Sequence, residues 1–421
     1  MTANTQPSRW RPSNPGGARA QKFWVAADQI ASSATNFGAA ALTAGLLTAA
    51  GFGAVAVAFA VYIVIAGASR SWSSEPLVFV ASDATPHERD HLIAAALGAA
   101  VGFGVLSGMA ALALGWFLGG SVGSAIMVLA VCLPGLLAHD AGRYALIIQG
   151  RSRQAFESDA IWMAFSITIL MWLRIENVDS VPLACGAWAM GASPAAVWAI
   201  RGTGVVPVRR VRTWIVRIRD ISPTLTLEFF IVHASSSMTL VLVTALTADL
   251  AQTGAFRGAQ VLLGPAAMCF AATSLYLRPV LVRAHRNGES LLPRAIREST
   301  YNTVASIIWI GIVLLVPRFV GTRVFGATWD GARSLVPIVS ISFLGLGAAA
   351  GAIDAIRASG ELRAVVRIRA IVAAVVLASM FAGARLMDER GAITGFSIGT
   401  LLGAAVAWWM ALRSEALRSG S

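Results

Sequence analysis

The sequence predicts an all-α polytopic membrane protein of about 12 transmembrane helices, arranged as two six-helix lobes. Three observations carry that expectation. Hydrophobic residues make up 57% of the 421-residue chain and charged residues only 13%, with a mean hydropathy of +0.70, far from the composition of a soluble domain. Apolar runs recur from end to end, and a helix needs about 20 such residues to cross the hydrocarbon core. The connections between the runs alternate in Arg content, as a positive-inside topology requires.

The chain opens on a polar tail, 1–22, that holds Arg9, Arg11, Arg19 and Lys22 and no apolar stretch, so the first span itself is expected to direct insertion. Residues 23–80 follow as two bilayer-length runs joined by Gly51-Phe52-Gly53, which reads as a tight transmembrane hairpin. Its first helix is not wholly apolar. Asp28, Gln29, Ser32, Ser33, Thr35 and Asn36 fall within an arc of roughly 160° on a helical projection. A polar stripe with a carboxylate is costly against lipid, so it is expected to face protein or a water-filled cavity.

The twelve runs lie near 25–49, 54–80, 92–118, 122–147, 156–176, 181–200, 224–249, 256–284, 298–319, 333–358, 364–386 and 391–412. The even set of connections holds Arg70 and Arg89, Arg143, Arg151 and Arg153, then Arg283, Arg286, Arg294 and Arg297, then Arg363, Arg367 and Arg369. The opposite set holds Arg174, Arg318, Arg323, Arg333, Arg385 and Arg390. This bias places both termini in the cytoplasm of a multi-pass protein of the cytoplasmic membrane. The net charge of +12 is therefore read as topology and attraction to anionic lipid, not as nucleic-acid binding, because the Arg residues sit between apolar spans.

The longest connection, 201–223, divides the spans six and six. In it Val208, Val211, Trp214, Ile215 and Ile218 share one helical face and Arg209, Arg210, Arg212, Arg217 and Arg219 the other. This predicts a basic amphipathic helix on the inner leaflet, a linker between an N-terminal lobe at 23–200 and a C-terminal lobe at 224–412, with a short cytoplasmic tail at 413–421.

Cut at the linker, the halves share landmarks in the same order. Glu228 stands where Asp28 stands; Asp28 precedes Gly53 by 25 residues and Glu228 precedes Gly254 by 26. Glu75-Pro76-Leu77 matches Arg278-Pro279-Val280, and both fourth spans carry Asp-x-x-Arg, as Asp140/Arg143 and Asp354/Arg357. Two like-oriented halves imply a pseudo-two-fold along the membrane normal with a cavity between them.

These landmarks resemble the oligosaccharide-lipid and polysaccharide flippases, O-antigen flippases among them, of the multidrug/oligosaccharidyl-lipid/polysaccharide exporter superfamily. The similar residues are Asp28-Gln29, Asn36-Phe37, Gly53, Glu75-Pro76-Leu77, Asp140, Arg143-Tyr144, Asp159 and Trp162 in the first half. In the second they are Arg257 with Gln260, Gly264-Pro265, Gly326 with Trp329, and Arg357. The resemblance spans the chain and implies alternating access that carries a polyprenyl-(pyro)phosphate-linked glycan outward. The lipid II branch carries an Arg just before the acidic residue of span one, where this chain has Ala27; that points away from a peptidoglycan precursor.

Within this frame Asp28 and Glu228 either bind a coupling H+ or Na+ or gate the inner mouth, or else cap helices or pair with Arg across the lobes. Asn36 and Gln29 read as interhelical hydrogen-bond partners or as cavity contacts. Arg257 and Gln260, one turn apart, suit a phosphate or sugar, because a guanidinium offers paired donors and stays charged; the alternative is snorkelling to the outer interface. Glu75 and Arg278, opposite in charge, suggest an ion pair closing the cytoplasmic side. Asp140 and Arg143 suggest an intrahelical pair that Asp159 joins. His233 reads as a core histidine or a proton relay. Cys132, Cys185 and Cys269 read as small core residues without metal spacing.

No Walker A loop, HExxH, GxSxG or DxD is present, so neither an enzyme nor a cofactor is expected. The rival readings are an ion-coupled drug or cation antiporter, a membrane glycosyltransferase or polymerase, and a non-transporting member of a glycan-assembly complex. The last two conflict with short connections or with the intramembrane charges. The expected partners are the lipid-linked glycan, membrane lipids and other polysaccharide-assembly proteins, and no nucleic acid.

Overall fold

The computed structural model describes residues 15–81, 84–207, 211–231 and 235–414. It is helical throughout these residues. The elements are α1 (Pro15–Leu46), α2 (Ala49–Trp72), α3 (Ser74–Val80), α4 (Pro86–Leu118), α5 (Gly120–Ile148), α6 (Ser152–Ile175), α7 (Val181–Met190), α8 (Ala192–Thr203) and α9 (Val211–Ile218). They continue with α10 (Ser222–Phe229), α11 (Ser235–Thr247), α12 (Leu250–Arg286), α13 (Leu292–Leu315), α14 (Arg318–Phe325), α15 (Thr328–Ala358), α16 (Leu362–Leu386) and α17 (Asp388–Arg413). Among the described residues, ten helices are long and apolar enough to cross a membrane. The other two expected spans, 25–49 and 224–249, fall on α1 and on α10 with α11. The chain is an all-α, multi-pass membrane protein.

The opening hairpin turns earlier than the glycines suggest. The chain reverses at Leu47–Thr48, and Gly51-Phe52-Gly53 lies inside the first turns of α2. Thr48 starts the helix: its Oγ1 accepts from the Gly51 N–H at 3.2 Å and its carbonyl from Phe52 N–H at 2.9 Å, a cap that competes well with a glycine turn. The glycines instead permit close approach. A Cβ on Gly53 would strike the Leu250 carbonyl, and one on Gly254 would strike the Ala49 carbonyl. Each glycine thus faces the carbonyl four residues before the other, a symmetric contact between the two landmark positions.

Contacts divide the chain into two compact units, one of 1–39, 65–172 and 185–226, the other of 40–64, 173–184 and 227–421. In the first, α4 packs on α5 at Gly104, Gly108, Gly115 and Gly123, whose missing side chains let backbone meet backbone. Leu77, Ile93, Leu97, Ala141 and Ala145 form its core together with Trp214 and Ile218 of α9. The linker helix therefore covers protein with the face expected to meet the inner leaflet: Trp214 is 1% exposed and its Nε1 donates to the Trp72 carbonyl at 2.8 Å. Ile215 remains exposed. Val208, Arg209 and Arg210 lie outside the described residues.

In the second unit α16 packs on α17 through Gly383, Gly391, Gly395 and Gly399, and α15 is central, packed by α12, α13 and α17. Gly347 and Gly351 of α15 lie against the backbone of α13 at Asn302 and Ala295. Ser299 locks that crossing, donating to the Ala348 carbonyl at 2.7 Å and accepting from Gly351 N–H at 3.1 Å. Cys132 and Cys185 are buried, as expected; Cys269, also expected in the core, is exposed on α12.

Candidate functional site

A buried charge network occupies the first unit. Asp140 sits in the C-terminal third of α5 at 6% exposure, where an isolated carboxylate would be costly. Its partner is Arg70 of α2, which donates from Nε to Oδ2 at 2.9 Å and from Nη2 to Oδ1 at 2.6 Å. This two-pronged geometry suits a planar guanidinium. Asp140 thus takes Arg70 from another helix in addition to the neighbouring Arg143 expected along α5, and Arg143 lies near Asp159 of α6, with Nη1 3.6 Å from Oδ2.

Asp159 is 3% exposed and also lies 3.3 Å from His139 Nε2. That nitrogen is 3.3 Å from Ser158 Oγ, whose hydroxyl donates to the Ala155 carbonyl. The Trp162 ring meets the imidazole edge-on at 5.0 Å, and its Nε1 donates to the Trp188 carbonyl at 2.7 Å. Arg70, His139, Asp140, Arg143 and Asp159 therefore form one chain of charges across α2, α5 and α6.

The second unit repeats the device. Arg278 of α12 donates from Nε to Oδ1 of Asp354 at 3.0 Å, with Asp354 buried and Arg278 half exposed. In both halves an Arg of the second span holds the Asp of the fourth. Glu75 is half-buried at the start of α3 and belongs to the first unit, so neither unit by itself contains the expected Glu75–Arg278 pair. Arg357 is half-buried on α15, one turn beyond Asp354.

Arg257 and Gln260 do come together, with Arg257 Nη1 3.4 Å from Gln260 Oε1. The guanidinium also lies over the Phe59 ring of α2, 5.2 Å from its centroid, an attraction of a cation to the ring face. Nearby in the same unit, Thr239, Ile353, Arg369, Phe396 and Thr400 line an apolar cavity of about 150 Å³ with a guanidinium among its walls. On α1, Thr35 is buried and Asn36 exposed. The side chains of Asp28, Gln29, Glu228 and His233 lie outside the described residues.

Sequence reasoning missed four members of these networks. Arg70 counted only as a topology charge, and His139 stood unnoticed beside Asp140. Glu298 and Asn302, both fully buried on α13, were absorbed into an apolar run. A signal was present: Glu298, Asn302 and Ser306 recur every four residues, a polar stripe on one helix face. Among the described residues no cluster of three or more His, Cys, Asp or Glu is arranged to hold a metal ion.

The sequence matches no family model and no curated protein. Solved structures do share the fold. An inward-facing multidrug resistance MATE family transporter of the MOP superfamily aligns over 95% of this chain and 96% of its own, at 16% identity and a TM-score of 0.68. The lipid II flippase MurJ, in an inward closed conformation, aligns over 94% of this chain and 87% of its own at 9% identity, also with a TM-score of 0.68. A MOP superfamily transporter from Pyrococcus furiosus, described as having a binding pocket of reverse polarity, aligns over 96% of each chain at 13% identity with a TM-score of 0.56.

Proposed function

We propose that this chain is a flippase that moves a polyprenyl-(pyro)phosphate-linked oligosaccharide or polysaccharide precursor outward across the cytoplasmic membrane by alternating access. The observation that carries the reading is Arg257. It is a guanidinium inside a long apolar helix, oriented by Gln260 and by the Phe59 ring. Buried cations are retained where an anion is to be met, and a phosphate takes the paired N–H groups of an Arg. The apolar cavity bordered by Arg369 supports the same ligand chemistry, an isoprenoid next to a phosphate. The fold it shares with MATE and MurJ transporters is compatible with this cycle. In this reading both termini are cytoplasmic, the halves at 23–200 and 224–412 are the moving lobes, and 201–223 ties them.

An ion-coupled drug or cation antiporter is the second reading, and the buried carboxylates Asp159, Glu298 and Asp354 favour it. A role as a component of a glycan-assembly complex would need none of these charges. Depletion of the protein in its host decides among the three: a flippase leaves lipid-linked oligosaccharide accumulated on the cytoplasmic face. Unchanged lipid-linked pools, with altered resistance to cationic drugs, would reject the flippase in favour of the antiporter.

A further inference from the structure

Both units hold an Arg–Asp pair between their second and fourth spans, Arg70 with Asp140 in the first and Arg278 with Asp354 in the second. In the second a further carboxyl, Glu298 of α13, lies beside that pair: Ser274 and Arg278, one turn apart on α12, hold Glu298 and Asp354, and α13 crosses α15 closely at Gly347 and Gly351. The charged groups on the elements packed around the pair are Arg278 of α12, Arg294 and Arg297 of α13, Arg357 of α15, and Arg363, Arg367 and Arg369 of α16; α17, which packs on α15, carries no ionisable residue between Arg390 and Arg413.

Both carboxyls are closed to water, with Glu298 at 0% and Asp354 at 3% exposure. Each uses one oxygen in a described hydrogen bond: Glu298 Oε1 accepts from Ser274 Oγ at 3.3 Å, and Asp354 Oδ1 accepts from Arg278. Among the described residues the remaining oxygens, Glu298 Oε2 and Asp354 Oδ2, are buried and receive no donor. Two buried carboxylates cannot both stay ionised beside one guanidinium at low cost. A single proton resolves every part of this: it supplies the missing donor, leaves one negative charge for Arg278, and turns repulsion into a hydrogen bond. One turn along the same face, Asn302 is fully buried with both amide atoms unpartnered among the described residues.

We propose that Glu298 and Asp354 form a binding site for one proton, shared between the two carboxyls and balanced by Arg278, and that loading and release of this proton is how a proton gradient drives transport. The second part rests on the transport reading; the proton site does not.

Infrared difference spectroscopy of the full-length protein reconstituted in vesicles tests the site directly. The wild type shows the C=O band of a protonated carboxylic acid that is lost on titration with base between roughly pH 5 and 9. Glu298→Gln removes the band, and so does Asp354→Asn, which leaves Glu298 alone with Arg278. Glu298→Asp keeps the pair and shifts the band, which guards against loss of folding in the amide variants. Glu289→Gln is the control: hydrogen bonds from Asn287 and Arg294 hold that exposed carboxyl below its ordinary range, so it carries no proton in this window. Absence of a titrating band in the wild type, or its survival in both Glu298→Gln and Asp354→Asn, overturns the proposal. In the same vesicles, flipping of a fluorescent polyprenyl-pyrophosphate-linked disaccharide responds to an imposed pH gradient in the wild type, and Glu298→Gln loses that response. An equal response in both rejects the coupling. A titrating band that behaves as stated, with no flipping by the wild type, leaves the proton site standing and refutes the flippase reading.

Discussion

A guanidinium from the second span of each half holds a buried aspartate of the fourth, and the pair matters because neither charge tolerates lipid alone. Removing Arg278 takes from the buried Asp354 the guanidinium that holds it. Arg278→Glu should therefore lower the melting temperature markedly, and Arg278→Asp combined with Asp354→Arg should recover part of it. Recovery by a swap at Glu75 instead would assign Arg278 to the gate pair expected from the sequence. Arg257 has a different task. Its Phe59 and Gln260 contacts orient it without neutralising it. Arg257→Ala should leave the fold intact while weakening binding of a polyprenyl phosphate about ten- to a hundredfold, the worth of hydrogen bonds to a charged group. Arg257→Lys should recover only part of that, since an ammonium lacks the planar fork. Asp140, Arg143, Asp159 and Asp354 were legible in the sequence, because a charge inside an apolar run stands out; Arg70, His139 and Glu298 were not. Nor were the partners: Asp140 lies three residues from Arg143 and seventy from Arg70, yet the distant residue holds it.

At the scale of elements, glycine sets the distances and tryptophan the anchors. Gly53 and Gly254 let two helices touch backbone to backbone, so Gly53→Val should overpack that contact and destabilise the protein by about 1–3 kcal/mol. Gly102→Val, where added atoms meet open space, should change little; equal melting shifts for the two would refute the contact. The linker helix α9 is an element whose amphipathic pattern was plain and whose docking surface was not. Trp214 and Ile218 bury into α4 and α5 rather than into lipid. Trp214→Ala should cost about 3–5 kcal/mol, as for other buried aromatic truncations, while Ile215→Ala on the exposed side should cost little. A helix that merely lay on the leaflet would show neither effect in detergent. The polar stripe of α13 was overlooked for the opposite reason: Glu298 follows an Arg-rich connection and reads there as one more interfacial charge.

For the whole molecule, cysteines placed at positions 5 and 418 should both react with a membrane-impermeant thiol reagent only after inner-leaflet access is opened, as the Arg bias requires. Reaction of either from outside would invert the topology. The sequence by itself determined that the chain is all-helical, that it spans a membrane many times, and where nearly every span lies. These properties depend on local hydropathy and on backbone hydrogen bonds that each helix satisfies internally. It also exposed the repeat, through landmarks whose spacing is local. Only the tertiary structure decided which charges meet. That choice depends on helix crossing and rotation, which small residues such as Gly347 and Gly351 set by allowing close approach. The second unit brings a further buried carboxyl, Glu298, beside its Arg–Asp pair because α13 rests on α15 at that crossing. No count of residues along the chain could have placed Glu298 against Asp354.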